Sequence, residues 1–156
     1  VSDMEGVAVF NLYELSQEIA FNIDEWSKII SDASAVIYQF PFYWMSAPSL
    51  LKKWQDEIFT FLSKTPAVAG KPLTVVTTTG SEYEAYRSGG RNRFTTDELL
   101  RPYQVSAIHS GMSWQTPIVV YGMGTADAGK NIAEGANLYK QRVEMLIGNS
   151  NAGNNW

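Results

Sequence analysis

Four short apolar runs alternate with stretches of helical periodicity, and this alternation constrains the chain more than any other feature. Residues 7–12 (VAVFNL), 35–40 (AVIYQF), 72–79 (PLTVVTTT) and 116–121 (TPIVVY) are rich in β-branched and aromatic side chains and read as strands. The second and third are apolar almost throughout, as strands buried on both faces are. Residues 22–33 place Ile23, Trp26, Ile30 and Ala33 on one helical face, with Asn22 as cap and Asp24 and Glu25 in the first turn. A second helix runs to about Leu62 through Leu50, Leu51, Trp54 and Ile58, with Ser46 as its cap and Pro48 in its first turn. A third takes Pro102 in its first turn and ends at Gly111. The last, about Asp127 to Ile147, lines up Ile132, Ala136, Tyr139, Val143 and Leu146 and stops at Gly148. This order predicts an α/β fold, an open parallel sheet with helices on both faces, in one domain over 1–148 with a flexible tail at 149–156. Such sheets take ligands beyond the C-terminal ends of their strands. The loops at 40–46, 79–95 and 122–127 are therefore where function is sought.

Composition removes several alternatives. Lys plus Arg is 12 and Asp plus Glu 16, so the net charge of -4 makes a nucleic acid an unsuitable partner. There is no cysteine, which excludes disulfides, thiolate nucleophiles and thiolate-held metals. His109 is the one histidine and reads as a structural residue; no multi-histidine metal site can form, and no metal is expected. No apolar run approaches the roughly 20 residues of a membrane span, and no signal peptide is visible, so the cytoplasm is the expected location. The aromatic load is high, with five Trp, eight Tyr and seven Phe. Aromatics fill cores, and they also bind planar ligands.

Three loop segments carry candidate chemistry. Phe40 to Met45 concentrates aromatics at a strand end, too many for all to enter the core from so short a turn. They form either a platform for a flat ring or a hydrophobic plug or subunit interface. Thr77, Thr78, Thr79 and Gly80 close the next strand; glycine admits a ligand close to the backbone, and threonine hydroxyls can donate to it. Otherwise they are an ordinary strand end and turn. Arg87, Arg91 and Arg93 lie on a Gly-rich loop that suits either phosphate binding or plain solvation. Tyr83 and Tyr86 flank this loop as proton or hydrogen-bond donors, or as packing groups. The Walker A, G-x-S-x-G and HExxH patterns are all absent.

The 17 positions from Phe40 to Asp56, FPFYWMSAPSLLKKWQD, closely resemble the signature of the flavodoxin-like NAD(P)H:quinone oxidoreductases. Gly70-Lys71-Pro72-Leu73 leading to Thr79-Gly80 is similar, as are Leu100 to Gln104 with Ile108, Gly111 and Trp114. The resemblance extends over about residues 6–148, and is to the small bacterial quinone reductases, including ancillary subunits of glutathione-gated potassium efflux systems. It implies a homodimeric flavoprotein that takes a hydride from NAD(P)H and passes it to a quinone in a ping-pong cycle. The cofactor it implies is FMN, with FAD as the alternative. Pro41, Phe42, Tyr43, Trp44 and Met45 would line the isoalloxazine. Thr78, Thr79 and Gly80 would contact its polar edge through backbone and hydroxyl groups. Tyr83 or Tyr86 would stand over the ring beside the quinone, with Arg87 and Arg91 as phosphate or substrate contacts.

Two positions depart from the family pattern. Thr-Thr-Thr-Gly stands where Thr-Thr-Gly-Gly is usual, and Arg91 stands nearest to a family histidine. The resemblance also places a first strand and a phosphate-binding loop ahead of Val1. The expectation is therefore a longer gene product, and a chain limited to these residues would bind flavin poorly. The rival readings are a regulatory subunit docked on a membrane transporter, a one-electron carrier, and an inactive truncated domain.

Overall fold

The computed structural model describes residues 1–15 and 20–151. Helix α1 (Leu12–Leu15) precedes α2 (Ile23–Asp32), β1 (Val36–Pro41) and α3 (Ser49–Trp54). A π-helical turn, Gln55–Phe59, carries α3 into α4 (Thr60–Leu62). Then follow β2 (Pro72–Thr78), a 3₁₀ turn at Tyr83–Tyr86, α5 (Thr96–Leu99) and α6 (Arg101–His109). Two short strands, β3 (Ser113–Trp114) and β4 (Ile118–Val120), lead into α7 (Ala128–Asn151).

All strand pairings are parallel, with β2 central. β1 lies along one side of β2, in register from Val36 opposite Leu73 to Pro41 opposite Thr78. β3 and β4 share its other side. Leu73 faces Trp114 and Val76 faces Ile118, so the β3–β4 edge spends one residue more than β2 over the same span. That is a bulge at Gln115-Thr116-Pro117. Pro117 has no N–H to give a ladder, and the exposed Thr116 carbonyl accepts from the Thr74 hydroxyl (3.1 Å) and from Arg142 Nη1 (2.7 Å).

The expected three layers are present. On one face Trp26, Ile30, Tyr38, Phe40, Trp54, Ile58, Phe59, Leu73, Val75 and Tyr103 form one large core from α2, α3–α4, α6 and the sheet. On the other, Val76, Ile118 and Val120 meet Tyr139 of α7 in a smaller cluster. Helix α7 comes close through Gly135, where a Cβ would stand 2.3 Å from Val120 Cγ2. The buried face of α7 is therefore Gly135, Val143 and Leu146 with half-buried Tyr139; Ile132 and Ala136, expected inside, are exposed.

Three further expectations change. Residues 7–11 form no strand, and α1 starts at Leu12. Among the described residues no strand lies beside them to share a ladder; instead Phe10 packs on Trp26 at 5.3 Å, and Asn11 Oδ1 accepts from Tyr13 N at 3.1 Å. Among the described residues the outer edge of β1 is unpaired. Ser46 does not cap α3, which begins after Pro48 without a side-chain cap. The expected tail at 149–156 is helical as far as Asn151, and the rest of it lies outside the described residues. Asn22 does cap α2, accepting from the N–H of Asp24 and Glu25. Lys71 closes the other end of that helix, donating to the carbonyls of Ile30 (2.6 Å) and Ser31 (2.8 Å).

Candidate functional site

The C-terminal ends of β1 and β2 lie side by side, tied by Phe42 N donating to Thr78 O at 2.9 Å. Beyond β1 the chain reverses in a two-residue hairpin: Tyr43 and Ser46 exchange backbone hydrogen bonds of 2.8 and 2.9 Å. Its central residues, Trp44 (φ 47°) and Met45 (φ 62°), are both left-handed. Glycine and asparagine usually fill such a turn, because the conformation strains larger L-residues by about 1–3 kcal/mol each. Trp44 is 98% exposed, Tyr43 and Met45 are exposed, and Phe42 is half-buried. Tyr103 steadies the base of the turn, its hydroxyl accepting from Ala47 N at 3.1 Å and lying 3.3 Å from Ser46 Oγ.

Beyond β2, Thr78 is half-buried, while Thr79 is fully buried and donates its hydroxyl to Ser81 O at 2.8 Å. The Thr79 hydroxyl therefore shapes the turn and is not free for a ligand. Gly80 is exposed. Gly124 N donates to Gly80 O at 2.8 Å, and a Cβ on Gly124 would sit 3.0 Å from that oxygen, so the 122–127 loop braces the β2 turn through a bare backbone. Among the described residues, the N–H groups of Trp44, Met45, Gly80 and Ser81 have no protein acceptor. Flat apolar faces and free N–H groups thus converge at one corner, which is the donor set a planar heteroaromatic ring requires.

An aromatic wall leads away from this corner. Phe42 meets Tyr86 (6.2 Å between centroids), Tyr86 meets Tyr121 (5.9 Å), and Tyr121 meets Tyr83 (5.3 Å). Tyr86 is buried and Tyr83 half-exposed, so Tyr83 is the tyrosine a ligand can reach. Tyr121 shares a 2.6 Å hydrogen bond with Thr96 Oγ1. Burial raises its phenol above the usual range, and the Thr96 bond opposes that only in part. The wall borders an open groove of about 860 Å³ closed by Pro117, Val119, Leu138, Arg142 and Met145. Tyr121, Thr96 and the bulge at Thr116–Pro117 were not expected here, since a strand-end tyrosine and an extra strand residue carry no distinctive sequence pattern.

The two named arginines differ. Arg87 is engaged, 3.8 Å from Glu84 and 5.4 Å over the Tyr83 ring. Arg91 Nη2 donates to Ser81 Oγ at 2.7 Å, beside the Gly80 corner. His109 ends α6 on the surface rather than serving the core.

The sequence profile described as flavodoxin-like fold matches residues 2–143. General stress protein 14 of Bacillus subtilis (strain 168) is 34% identical over 149 residues, 93% of this chain and 85% of that protein. The glutathione-regulated potassium-efflux system ancillary protein KefG of Serratia proteamaculans (strain 568) is 35% identical over 122 residues, 76% of this chain and 67% of that one. Among solved structures, general stress protein 14 of Treponema denticola in complex with FMN gives a TM-score of 0.80 at 26% identity, covering 89% of this chain and 81% of that one. An NADPH-quinone reductase from P. pentosaceus gives 0.65 at 30% identity, covering 74% and 73%. A protein described as a thermophilic tryptophan halogenase from Streptomycin violaceusniger gives 0.82 at 34% identity, covering 91% and 84%. The chain belongs to the flavodoxin-like fold family. Within that family it resembles the NAD(P)H:quinone oxidoreductases.

Proposed function

We propose that this protein is a flavin-dependent NAD(P)H:quinone oxidoreductase that carries FMN at the corner formed by the ends of β1 and β2. The observation that carries this reading is the strained Trp44–Met45 hairpin, which holds an almost fully exposed indole beside the unpaired N–H groups of Gly80 and Ser81. The FMN complex of general stress protein 14 from Treponema denticola and the NADPH-quinone reductase from P. pentosaceus support the choice of cofactor and substrates.

FMN, when bound, supplies the two-electron chemistry. The residues of the chain do the rest. Phe42, Tyr43, Trp44 and Met45, with Pro41, would stack against the ring and exclude water. The N–H groups of Gly80 and Ser81, with the Thr78 hydroxyl, stabilise negative charge at its polar edge. Tyr83 Oη would donate a proton to a quinone entering from the groove. Tyr121, itself packed on Tyr86, supports the Tyr83 ring. A groove of about 860 Å³ accommodates a quinone or a nicotinamide ring.

Purified, natively expressed protein tests this reading by NAD(P)H consumption with a quinone acceptor. Tyr83→Phe is expected to lower kcat about 10²-fold, within the usual reach of a lost proton donor. Unchanged kcat removes Tyr83 from the mechanism. The same reading includes a homodimer, joined through exposed aromatic surface and tested by light scattering. It also includes the cytoplasm as location; no helix among the described residues is long and apolar enough to cross a membrane. The similarity to KefG favours a second role, docking on a potassium-efflux transporter, tested by co-purification with such a transporter.

A further inference from the structure

Four of the twelve basic side chains are ion-paired among the described residues. Lys52 pairs with Asp56, Lys53 with Glu57 (3.8 Å), Arg87 with Glu84 (3.8 Å) and Lys130 with Glu134 (3.9 Å). Arg91 and Arg93 are not ion-paired: among the described residues neither has a carboxylate within 4.0 Å, as is also true of Lys28, Lys64, Lys71, Arg101, Lys140 and Arg142, although the chain as a whole is acidic at -4. Both line one open depression of about 480 Å³, with Gly89 and Gly90 as its floor.

The loop that carries them is rigidly specified. Gly90 N donates to Arg87 O (2.8 Å), Asn92 N to Ala85 O (2.9 Å) and Arg93 N to Gly90 O (2.9 Å). A Cβ on Gly90 would lie 2.2 Å from Glu84 O, so only glycine fits there. Arg93 is left-handed (φ 63°) without being glycine, a strained conformation. Arg91 is anchored to Ser81, one residue beyond Gly80, which fixes its guanidinium beside the proposed ring site. The N–H groups of Gly89 and Arg91 have no acceptor among the described residues, and Gly89 is left-handed (φ 84°).

We propose that this loop receives a phosphate monoester, the 2′-phosphate of NADPH, and that Arg91 and Arg93 thereby select NADPH over NADH. The inference rests on the reading of the protein as an NAD(P)H-consuming oxidoreductase. A phosphate monoester carries close to two negative charges at neutral pH, matching two guanidiniums, and its oxygens suit their forked donors. NADH has no monoester to offer.

Two measurements on the natively expressed protein test it. Calorimetric titration with 2′,5′-ADP and 5′-AMP should show the former binding about tenfold tighter or more, the scale of a charge-assisted hydrogen bond. Arg91→Gln and Arg93→Gln should each remove most of that difference, and Arg91→Lys should restore part of it. In turnover, the ratio of kcat/KM for NADPH to that for NADH should fall about tenfold in each Gln variant. Equal binding of the two probes by the unmodified protein overturns the inference, as does a cofactor ratio that neither variant moves. A protein that turns over both nucleotides at equal kcat/KM sinks the inference and leaves the oxidoreductase reading intact. A protein that discriminates 2′,5′-ADP but oxidises neither nucleotide sinks that reading and leaves the phosphate site standing.

Discussion

Trp54 and Trp44 lie ten residues apart and meet opposite fates. Trp54 is 3% exposed; Trp44 is 98% exposed. Trp54 is enclosed by rings: Trp26 at 5.2 Å, Tyr38 at 5.9 Å and Phe59 at 6.2 Å. Trp44 is held by its backbone, in a turn whose geometry opposes the residue that occupies it. In the core, packing selects the residue and the backbone is ordinary. At the hairpin the backbone is strained and the Trp44 side chain is left almost fully exposed. A large apolar group kept in such a place is explained by what it binds.

This contrast can be broken at several points. Trp54→Ala should have the largest effect on stability, about 3–5 kcal/mol measured by denaturant unfolding. A loss under 1 kcal/mol would mean that the aromatic core is not the main support of the sheet. Gly135→Val should cost about 1–3 kcal/mol, because it drives α7 off Val120. Its melting transition should fall while the opposite core stays native by near-ultraviolet circular dichroism. Trp44→Gly should do the reverse of Trp54→Ala. Stability should hold or rise by up to about 1 kcal/mol as strain is relieved. FMN affinity should fall about tenfold or more, read by fluorescence quenching. Loss of stability with unchanged FMN affinity would make the hairpin a structural element.

The smallest expected effect lies away from both regions, at the capping box of α5. The Thr95 hydroxyl accepts from Glu98 N, and the Glu98 carboxylate accepts from Thr95 N at 2.7 Å. Thr95→Ala should cost about 1 kcal/mol. The Thr95 N–H first, and its hydroxyl second, hold the Glu98 carboxyl below its ordinary value of 4.5. The folded pKa is thus depressed, so the stabilisation is present above pH 4.5 and fades as the pH falls through the lower folded value. Glu98→Gln should flatten that acid limb of a stability–pH curve; an unaltered limb would remove Glu98 from the account.

Much of the fold can be read in the sequence where one physical signal acts alone. Asn22 followed by two acidic residues gives the start of α2, and the apolar runs give β1 and β2. Residues 7–12 read as a strand because β propensity describes a side chain's suitability, whereas a strand also needs a partner edge. The buried face of α7 is read correctly at Tyr139, Val143 and Leu146 but not in its N-terminal half, because periodicity scores Ile132 and Ala136 as apolar and gives Gly135 no weight, although the close approach to Val120 needs glycine. The site divides in the same way. The sequence singled out Trp44, Thr79, Gly80 and the loop arginines, and the structure sorts them: Thr79 is spent on a turn and Arg87 on Glu84, while Arg91 is anchored on Ser81 with no carboxylate beside it among the described residues. Tyr121 and Thr96 are 25 residues apart and meet only through the fold.

The central claim is that the strand-end corner holds a flavin that carries electrons from a nicotinamide nucleotide to a quinone. The most direct measurement is an anaerobic absorbance titration of the natively expressed protein with FMN, then NADPH, then a quinone. The account predicts that FMN is retained, that its visible bands bleach on adding NADPH, and that they return on adding the quinone. A protein that fails to retain FMN, or whose bound FMN stays oxidised with NADPH and with NADH, contradicts it.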